Sequence, residues 1–405
     1  MPVNNPRQPP HLRMEFPGNR FEHDGPAEVT TETKRTPVPR VTVREASFDD
    51  YGQIASLESQ YGLETRTFAE WQHLWSDNPA YVQVRGPWPM GWVLENETGR
   101  IVGYFGNIPL LYLLGRRELL AAAGHAWVVD SRYRSYSYQL VARYFNQKNV
   151  DLYLNTSANL ASSKTFQAFH ASKVPVGNWD QAPFWIANYP GFVRSFLTKK
   201  AIPLVRPLSL GLSLPLYLRD RLFGKGRCGG RIHFDVEACQ EFDDRFDTFW
   251  EALKQRNLRR LLGVRTREVL AWHYKYGLLQ GKTWVVTATD ASGLAGYAVF
   301  SRQDVPKIML RRMWLVDFKS LDGTFAPLAP MVDWALERCR KEGIHMLEVI
   351  GVSAERGGAI LKSAPHQQKL PAWLYFYKTK DKSLEERLRD PEVWDPSPYD
   401  GDLSL

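Results

Sequence analysis

Residues 121–140, AAAGHAWVVDSRYRSYSYQL, decide how this chain is read. His125-Ala-Trp-Val-Val129 has the apolar, β-branched character of a strand, and an amphipathic helix starts near Ser137. Alternation along the strand places His125, Trp127 and Val129 on one face and Ala126 and Val128 on the other. Arg134, Ser135, Tyr136 and Ser137 fill the join, small or basic for the most part. A strand feeding a helix through such a loop aims backbone N–H groups, and the positive end of the helix dipole, at one point. That geometry binds phosphate.

Around this stretch lies a chain of 405 residues, long enough for two domains with sizeable cores. Its ordinary apolar content and 14 tryptophans are those of a globular protein. The isolated Cys228, Cys239 and Cys339 carry no metal-ligand spacing, so reduced thiols in a cytoplasmic protein are expected, without disulfide or metal. No secretory signal or membrane span is visible in the sequence. A net charge of +8 favours anionic partners, but Lys and Arg are spread along the chain and form no nucleic-acid-binding module.

In order, residues 1–40 read as a disordered tail rich in proline and charge. A strand from Val41 runs into Ser47, which caps a helix through Gln60, and Trp71 and Trp75 share the buried face of a second helix. Residues 90–95 and 101–111 form a hairpin about an Asn-Glu-Thr-Gly turn. A strand at 150–155 follows the quoted stretch. The second half then repeats the first. Trp92-Val-Leu leading to Gly103-Tyr104 has a partner in Trp284-Val-Val leading to Gly296-Tyr297, and Trp127-Val-Val-Asp130 has one in Trp314-Leu-Val-Asp317. Helices at 243–254 and 266–276 precede the second hairpin, a helix at 326–342 follows its loop, and a strand at 345–351 closes the copy. In the second loop, DFKSLDGTFAPLAPM, Pro327 and Pro330 remove N–H donors, so phosphate binding is lost there.

The segment VVDSRYRSYSYQL resembles the acyl-CoA pyrophosphate loop of the GNAT N-acetyltransferases, V-x-P-x-Y-R-G-x-G-x-G-x-x-L. Val129, Tyr133, Arg134 and Leu140 fall on matching positions, while Ser135, Ser137 and Gln139 replace the glycines. The opening VREASFDDYGQIASL and the succession of elements are similar to the same family. The resemblance implies an α/β fold with a mixed sheet, two tandem GNAT domains, and a degenerate second copy. Domains are expected at 41–186 (acyl-CoA binding) and 231–380, joined by a basic, apolar linker over 187–230 and followed by a tail over 381–405, whose polar end from Trp394 is either an exposed terminus or tucked against a domain by Trp394 and Tyr399. Prolines at 190, 203, 207 and 215 preclude one long helix in the linker. Its mixture of apolar and basic residues fits a covered crossover or a peripheral membrane contact through 187–226.

The implied activity is transfer of an acyl group from acetyl-CoA or another acyl-CoA to an amine or hydroxyl. Val128 and Val129 would pair with the pantetheine, and Arg134 with the amides of Ser135, Tyr136, Ser137 and Tyr138 would take the pyrophosphate. Asn159 falls on the family asparagine of the next helix. That alignment puts Phe166 on the family's proton-donating tyrosine, where phenylalanine donates nothing, and His170 on a glycine. His125 is the candidate base, since imidazole titrates near neutrality and this strand lacks the family glutamate. Asp130 is equally suited to capping the loop. The tandem arrangement resembles bacterial proteins of envelope or exopolysaccharide metabolism, which implies a small molecule or saccharide as acceptor. A Fem-like aminoacyl-tRNA-dependent transferase and a non-catalytic GNAT-fold binding protein are the alternatives.

Overall fold

The computed structural model describes residues 40–84, 87–175, 181–203, 205–223, 234–350, 364–369 and 374–405. Residues 1–39 of the tail expected over 1–40, and Cys228, lie outside them; Cys239 and Cys339 carry free thiols. In chain order the first half holds β1 (Val41–Glu45), α1 (Tyr51–Gln60), α2 (Phe68–Ser76), α3 (Pro79–Gln83), β2 (Gly91–Asn96), β3 (Ile101–Leu114) and β4 (Arg117–Val129). Next come α4 (Ser137–Phe145), β5 (Leu152–Ala158), α5 (Leu160–Ala168), β6 (Ser172–Lys173), β7 (Gln181–Ile186), α6 (Tyr189–Lys199) and α7 (Val205–Phe223). The second half holds β8 (Asp235–Cys239), α8 (Asp244–Arg256), β9 (Leu261–Gly263), α9 (Arg267–Leu279), β10 (Thr283–Asp290), β11 (Gly293–Arg302) and β12 (Arg312–Ser320). It ends with α10 (Leu328–Glu342), β13 (Met346–Val349), β14 (His366–Lys369), β15 (Leu374–Lys378) and α11 (Lys382–Leu388).

Two compact units interleave along the chain. Of the described residues, one, the His125 unit, draws on those within 40–175, 242–276 and 374–405; the other, the Asp317 unit, on those within 181–241 and 277–369. The contiguous spans expected from the sequence differ from this partition. Strand β7 pairs with β13 in the later sheet, and β15 pairs with β5 in the earlier one, so each copy borrows a strand from beyond its own stretch of sequence.

The His125 unit is built on a sheet ordered β1-β2-β3-β4-β5-β15-β6, with β9 continuing the β2 edge of the long β3. All neighbours run antiparallel except β4 and β5. Trp71 and Trp75 are buried on α2 as expected, their rings 5.0 Å apart. The helix is held at its start by Thr67 and Glu70, whose side chains each take the other's backbone N–H.

The sheet of the Asp317 unit is ordered β14-β7-β13-β12-β11-β10-β8, again with a single parallel pair, β12 and β13, at the equivalent place. Helix α10 buries Leu328, Met331, Val332, Ala335, Leu336 and Cys339, a spacing that keeps one stripe on the sheet. Gly343 ends it at φ 65°, a left-handed turn that glycine adopts without strain. The linker expected over 187–230 is mostly helical where described, with α6 and α7 separated by a short non-helical join. Its prolines do split it into α6 and α7, yet Pro215 lies inside α7.

Candidate active site

The parallel pairing of β4 with β5 stops early. Ala121, Ala122 and Ala123 face Leu152, Tyr153 and Leu154; beyond that, β4 continues to Val129 and β5 to Ala158 without a further ladder bond. The Tyr144 hydroxyl marks the base of this fork, 2.6 Å from the Ala122 carbonyl and 2.9 Å from that of Leu154. On its other edge β4 carries a bulge, where Phe105 alone opposes Ala126 and Trp127 and Ala126 takes φ 49°. A non-glycine residue in that region is uncommon, and bulges re-aim side chains.

The bulge corrects the simple alternation. His125 faces Arg66 and Asp402, whereas Trp127 packs against Phe105 and Phe166 at 5.5 Å each. One inserted residue sends the two to opposite faces.

His125 is buried in a polar network. Its Nε2 lies 3.2 Å from Arg66 Nη1 and its Nδ1 3.2 Å from Asp402 Oδ2. A guanidinium only donates, so Nε2 is the acceptor and the imidazole proton sits on Nδ1, where it donates to Asp402. Thr156 and Ser157 of β5 also donate to Asp402, at 3.0 and 3.2 Å. The carboxylate thus bridges the two arms of the fork. Arg66 Nη2 further donates to the Leu405 carbonyl at 2.8 Å.

Burial pushes the His125 imidazole below its ordinary value of 6.5; Arg66 adds to that, and Asp402 opposes it. Burial works against ionisation of Asp402, but hydrogen bonds from His125, Thr156 and Ser157 hold its carboxyl below the usual range. The pair at neutral pH is therefore a neutral imidazole oriented by an anionic carboxylate, as a general base requires. Of the two readings of the tail over 381–405, the tucked one holds, and the exposed terminus does not. Trp394, Tyr399 and Asp400 are buried, and Gly401 packs against Thr156 so closely that a Cβ would come within 2.3 Å of its side chain.

Buried polar atoms without an ordinary partner lie on both faces of this part of β4. Tyr104 Oη and Trp71 Nε1 are buried against each other, while Trp127 Nε1 and Asn155 Oδ1 are buried and lack a hydrogen-bond partner among the described residues. Tyr104 Oη lies 2.7 Å from where a Cβ on Gly106 would stand, beside His125, and Asn155 Nδ2 3.0 Å from one on Gly124. In the duplicate, Tyr297 takes the place of Tyr104, and its hydroxyl donates to Asp317 at 2.8 Å. The tyrosine pairs with a carboxylate in one copy and lies against the Trp71 indole in the other.

Glu58 of α1 is also buried, and desolvation raises its carboxyl to about 7 against the charge of Arg66. A carboxyl whose folded pKa exceeds its unfolded one binds more protons when folded. Stability is then lost as pH rises from about 4.5 through about 7, by roughly 3 kcal/mol. Urea titrations of wild type and Glu58→Gln across that range are expected to converge below pH 4.5 and separate above it, the variant being the more stable.

The loop after β4 is tighter than the resemblance implies. Ser131–Tyr136 coils into a 3₁₀ turn, and no residue from Ser131 to Tyr138 has positive φ. Serines in place of glycines account for this, since they do not adopt the left-handed conformations of an open loop cheaply. The N–H of Ser131 donates to Tyr61 Oη, those of Arg132 and Tyr133 to Asp130, and that of Ser137 to the Arg134 carbonyl. Asp130 does cap the turn. Exposed here are Arg134, Ser135 and Tyr138; Tyr136 and Ser137 are half-buried, and Tyr136 offers no side-chain cap to α4. Of the strand positions, Val128 is buried and paired with Tyr104, and Val129 is half-buried and paired with Gly103. Asn159 uses its side chain to cap α5, accepting from Ala161 and Ser162 at 2.9 Å. Phe166 is fully buried, and His170 is exposed at φ 58°, the left-handed conformation suited to the glycine that the resemblance places there. In the Asp317 unit, Thr324 takes its own loop's groups: its N–H and hydroxyl donate to Asp322, and its carbonyl accepts from Ser320. Among the described residues no three His, Cys, Asp or Glu side chains converge as a metal site would require.

No protein-family model and no curated protein sequence matches this chain. Solved structures do. The chain is similar to N-myristoyltransferase of Saccharomyces cerevisiae, solved with bound myristoyl-CoA and inhibitors, at TM-score 0.52 and 10% identity over 86% of this chain and 83% of that one. It is similar to a GCN5-related N-acetyltransferase from Anabaena variabilis, at TM-score 0.51 and 10% identity over 84% and 73%. A probable N-acyltransferase from Enterococcus faecalis gives TM-score 0.51 and 9% identity over the same shares. With the strand orders above, these place both units in the GNAT fold.

Proposed function

We propose that this tandem GNAT-fold protein is an acyltransferase that moves an acyl group from an acyl-CoA to an amine or hydroxyl in the His125 unit. The observation that carries the reading is the fork between β4 and β5, with the His125–Asp402 pair across it. An unpaired β4 edge offers backbone groups to an extended pantetheine. Arg134 and the dipole at the start of α4, which no side chain caps, offer positive charge to its diphosphate. The similarity to acyltransferase structures supports the class of reaction and leaves acyl length open.

In this reading the acceptor displaces Arg66 from His125 Nε2 and loses its proton there as it attacks the thioester carbonyl carbon. The C–S bond then breaks, and the proton held by His125 returns to the thiolate. Phe166 takes no part. The acceptor class expected from the sequence, an amino sugar or sugar hydroxyl, rests on the tandem resemblance, with acetyl as the simplest donor. The Asp317 unit, whose loop is closed on itself and whose Tyr297 is satisfied, serves a structural or acceptor-binding role.

One observation favours the alternative of a non-catalytic or aminoacyl-tRNA-dependent protein. The amides of Ser131, Arg132, Tyr133 and Ser137 are already paired within the protein. Release of free CoA thiol, followed with acetyl-CoA and an array of amines and sugars, separates the readings. Acceptor-dependent thiol release that is lost in His125→Ala is expected. Release equal in the two proteins would refute a base at this position.

A further inference from the structure

Helix α7 of the Asp317 unit is inside-out. The stripe it turns toward its own unit is Val205, Ser209, Ser213, Leu216 and Asp220, at helical spacing. The serine hydroxyls donate to carbonyls one turn back in the same helix, and Asp220 accepts from Tyr189 at 3.0 Å and pairs with His366 at 2.7 Å. The leucines point the other way: Leu208, Leu210, Leu212, Leu214, Leu218 and Leu222 are exposed, Leu210 at 65% and Leu222 at 75%. A helix in water normally hides such residues, and an apolar patch of this extent on a protein surface marks an interaction site.

Charge identifies the occupant. Arg194, Lys200, Arg206 and Arg221 are exposed on α6, α7 and the join between them. Asp220 is the only acid between Tyr189 and Phe223, and it is buried against His366. An apolar face flanked by exposed cations with no exposed acid is the arrangement that lies in an anionic lipid interface, leucines among the acyl chains and arginines at the headgroups. Gly211 and Pro215, poor helix residues in water, sit on the exposed side, where lipid tolerates them. No described helix is long and apolar enough to cross a membrane, so α7, about 28 Å long, would lie flat. We infer that α7 docks this protein on an anionic bilayer surface.

The test uses the full chain in flotation with two kinds of vesicle, phosphatidylcholine alone and phosphatidylcholine mixed with phosphatidylglycerol. Binding to the mixed vesicles and weak binding to the neutral ones is expected. A Leu210→Ser, Leu214→Ser, Leu222→Ser triple variant should reduce partitioning by about two orders of magnitude. Arg206→Glu with Arg221→Glu should reduce it at least tenfold, by roughly fivefold per arginine. These positions are exposed, and unchanged circular dichroism and thermal unfolding verify the fold. Absence of binding to either vesicle, equal binding to both, or binding indifferent to the leucine changes would each overturn the inference. So would a dimer in sedimentation velocity that the leucine changes dissociate, because a second copy would then be the cover.

Discussion

Replacing His125 with alanine is expected to lower kcat/KM for acyl transfer by about 10²–10⁴-fold, the range for loss of a positioned general base, without weakening acyl-CoA binding. Asp402→Asn is the sharper variant. Asparagine keeps the shape of the side chain but removes the charge that holds the Nδ1 proton in place, so the plateau rate falls. The pH profile adds a readout that a structural role would not move. Asp402 raises the imidazole pKa by its hydrogen bond and charge, while burial and Arg66 lower it. Removing the carboxylate leaves only the lowering influences, so the acid limb of kcat/KM moves to lower pH in Asp402→Asn. An unchanged limb, or one displaced upward, would exclude Asp402 as the partner of a working base.

Phe166→Ala is expected to destabilise the His125 unit by about 3–5 kcal/mol in urea unfolding. The ring is fully buried and is packed on Trp127, Phe145 and Phe376 with centroids 5.5–6.0 Å away, a cluster that α5 closes over the sheet. The informative companion is Phe166→Tyr, which restores the residue type that the family resemblance places there. Its added hydroxyl enters an aromatic cluster, so a cost of about 1–3 kcal/mol and no gain in rate are expected. Faster thiol release in Phe166→Tyr would mean that this position reaches the reacting sulfur, contrary to its packing.

Much of the fold was legible from local pattern. The duplicated hairpins, the strand and helix around residues 121–140, and the core role of Trp71 and Trp75 all follow from periodicity and repeat, and each is found in place. His125 was legible as a lone imidazole on a strand. Its partners were not: Arg66 lies in a loop 59 residues before it and Asp402 lies 277 residues after it, and no spacing rule connects them. A polar ending such as Ser-Pro-Tyr-Asp-Gly-Asp reads as solvated, because burial of Asp402 depends on donors from β5 that only the folded sheet supplies. The exchange of β7 and β15 between sheets was hidden for the same reason, since strand pairing is nonlocal. The bulge at Ala126 defeated simple alternation, and serines in the loop produced a 3₁₀ turn where glycines would have left it open.

Calorimetric titration of the full chain with acetyl-CoA, repeated on Arg134→Glu, addresses the central proposal most directly. Saturable binding by wild type at one site, lost or greatly weakened by the charge reversal, is expected if the fork and the start of α4 hold the donor. No heat at millimolar ligand, or equal binding by the two proteins, would contradict it.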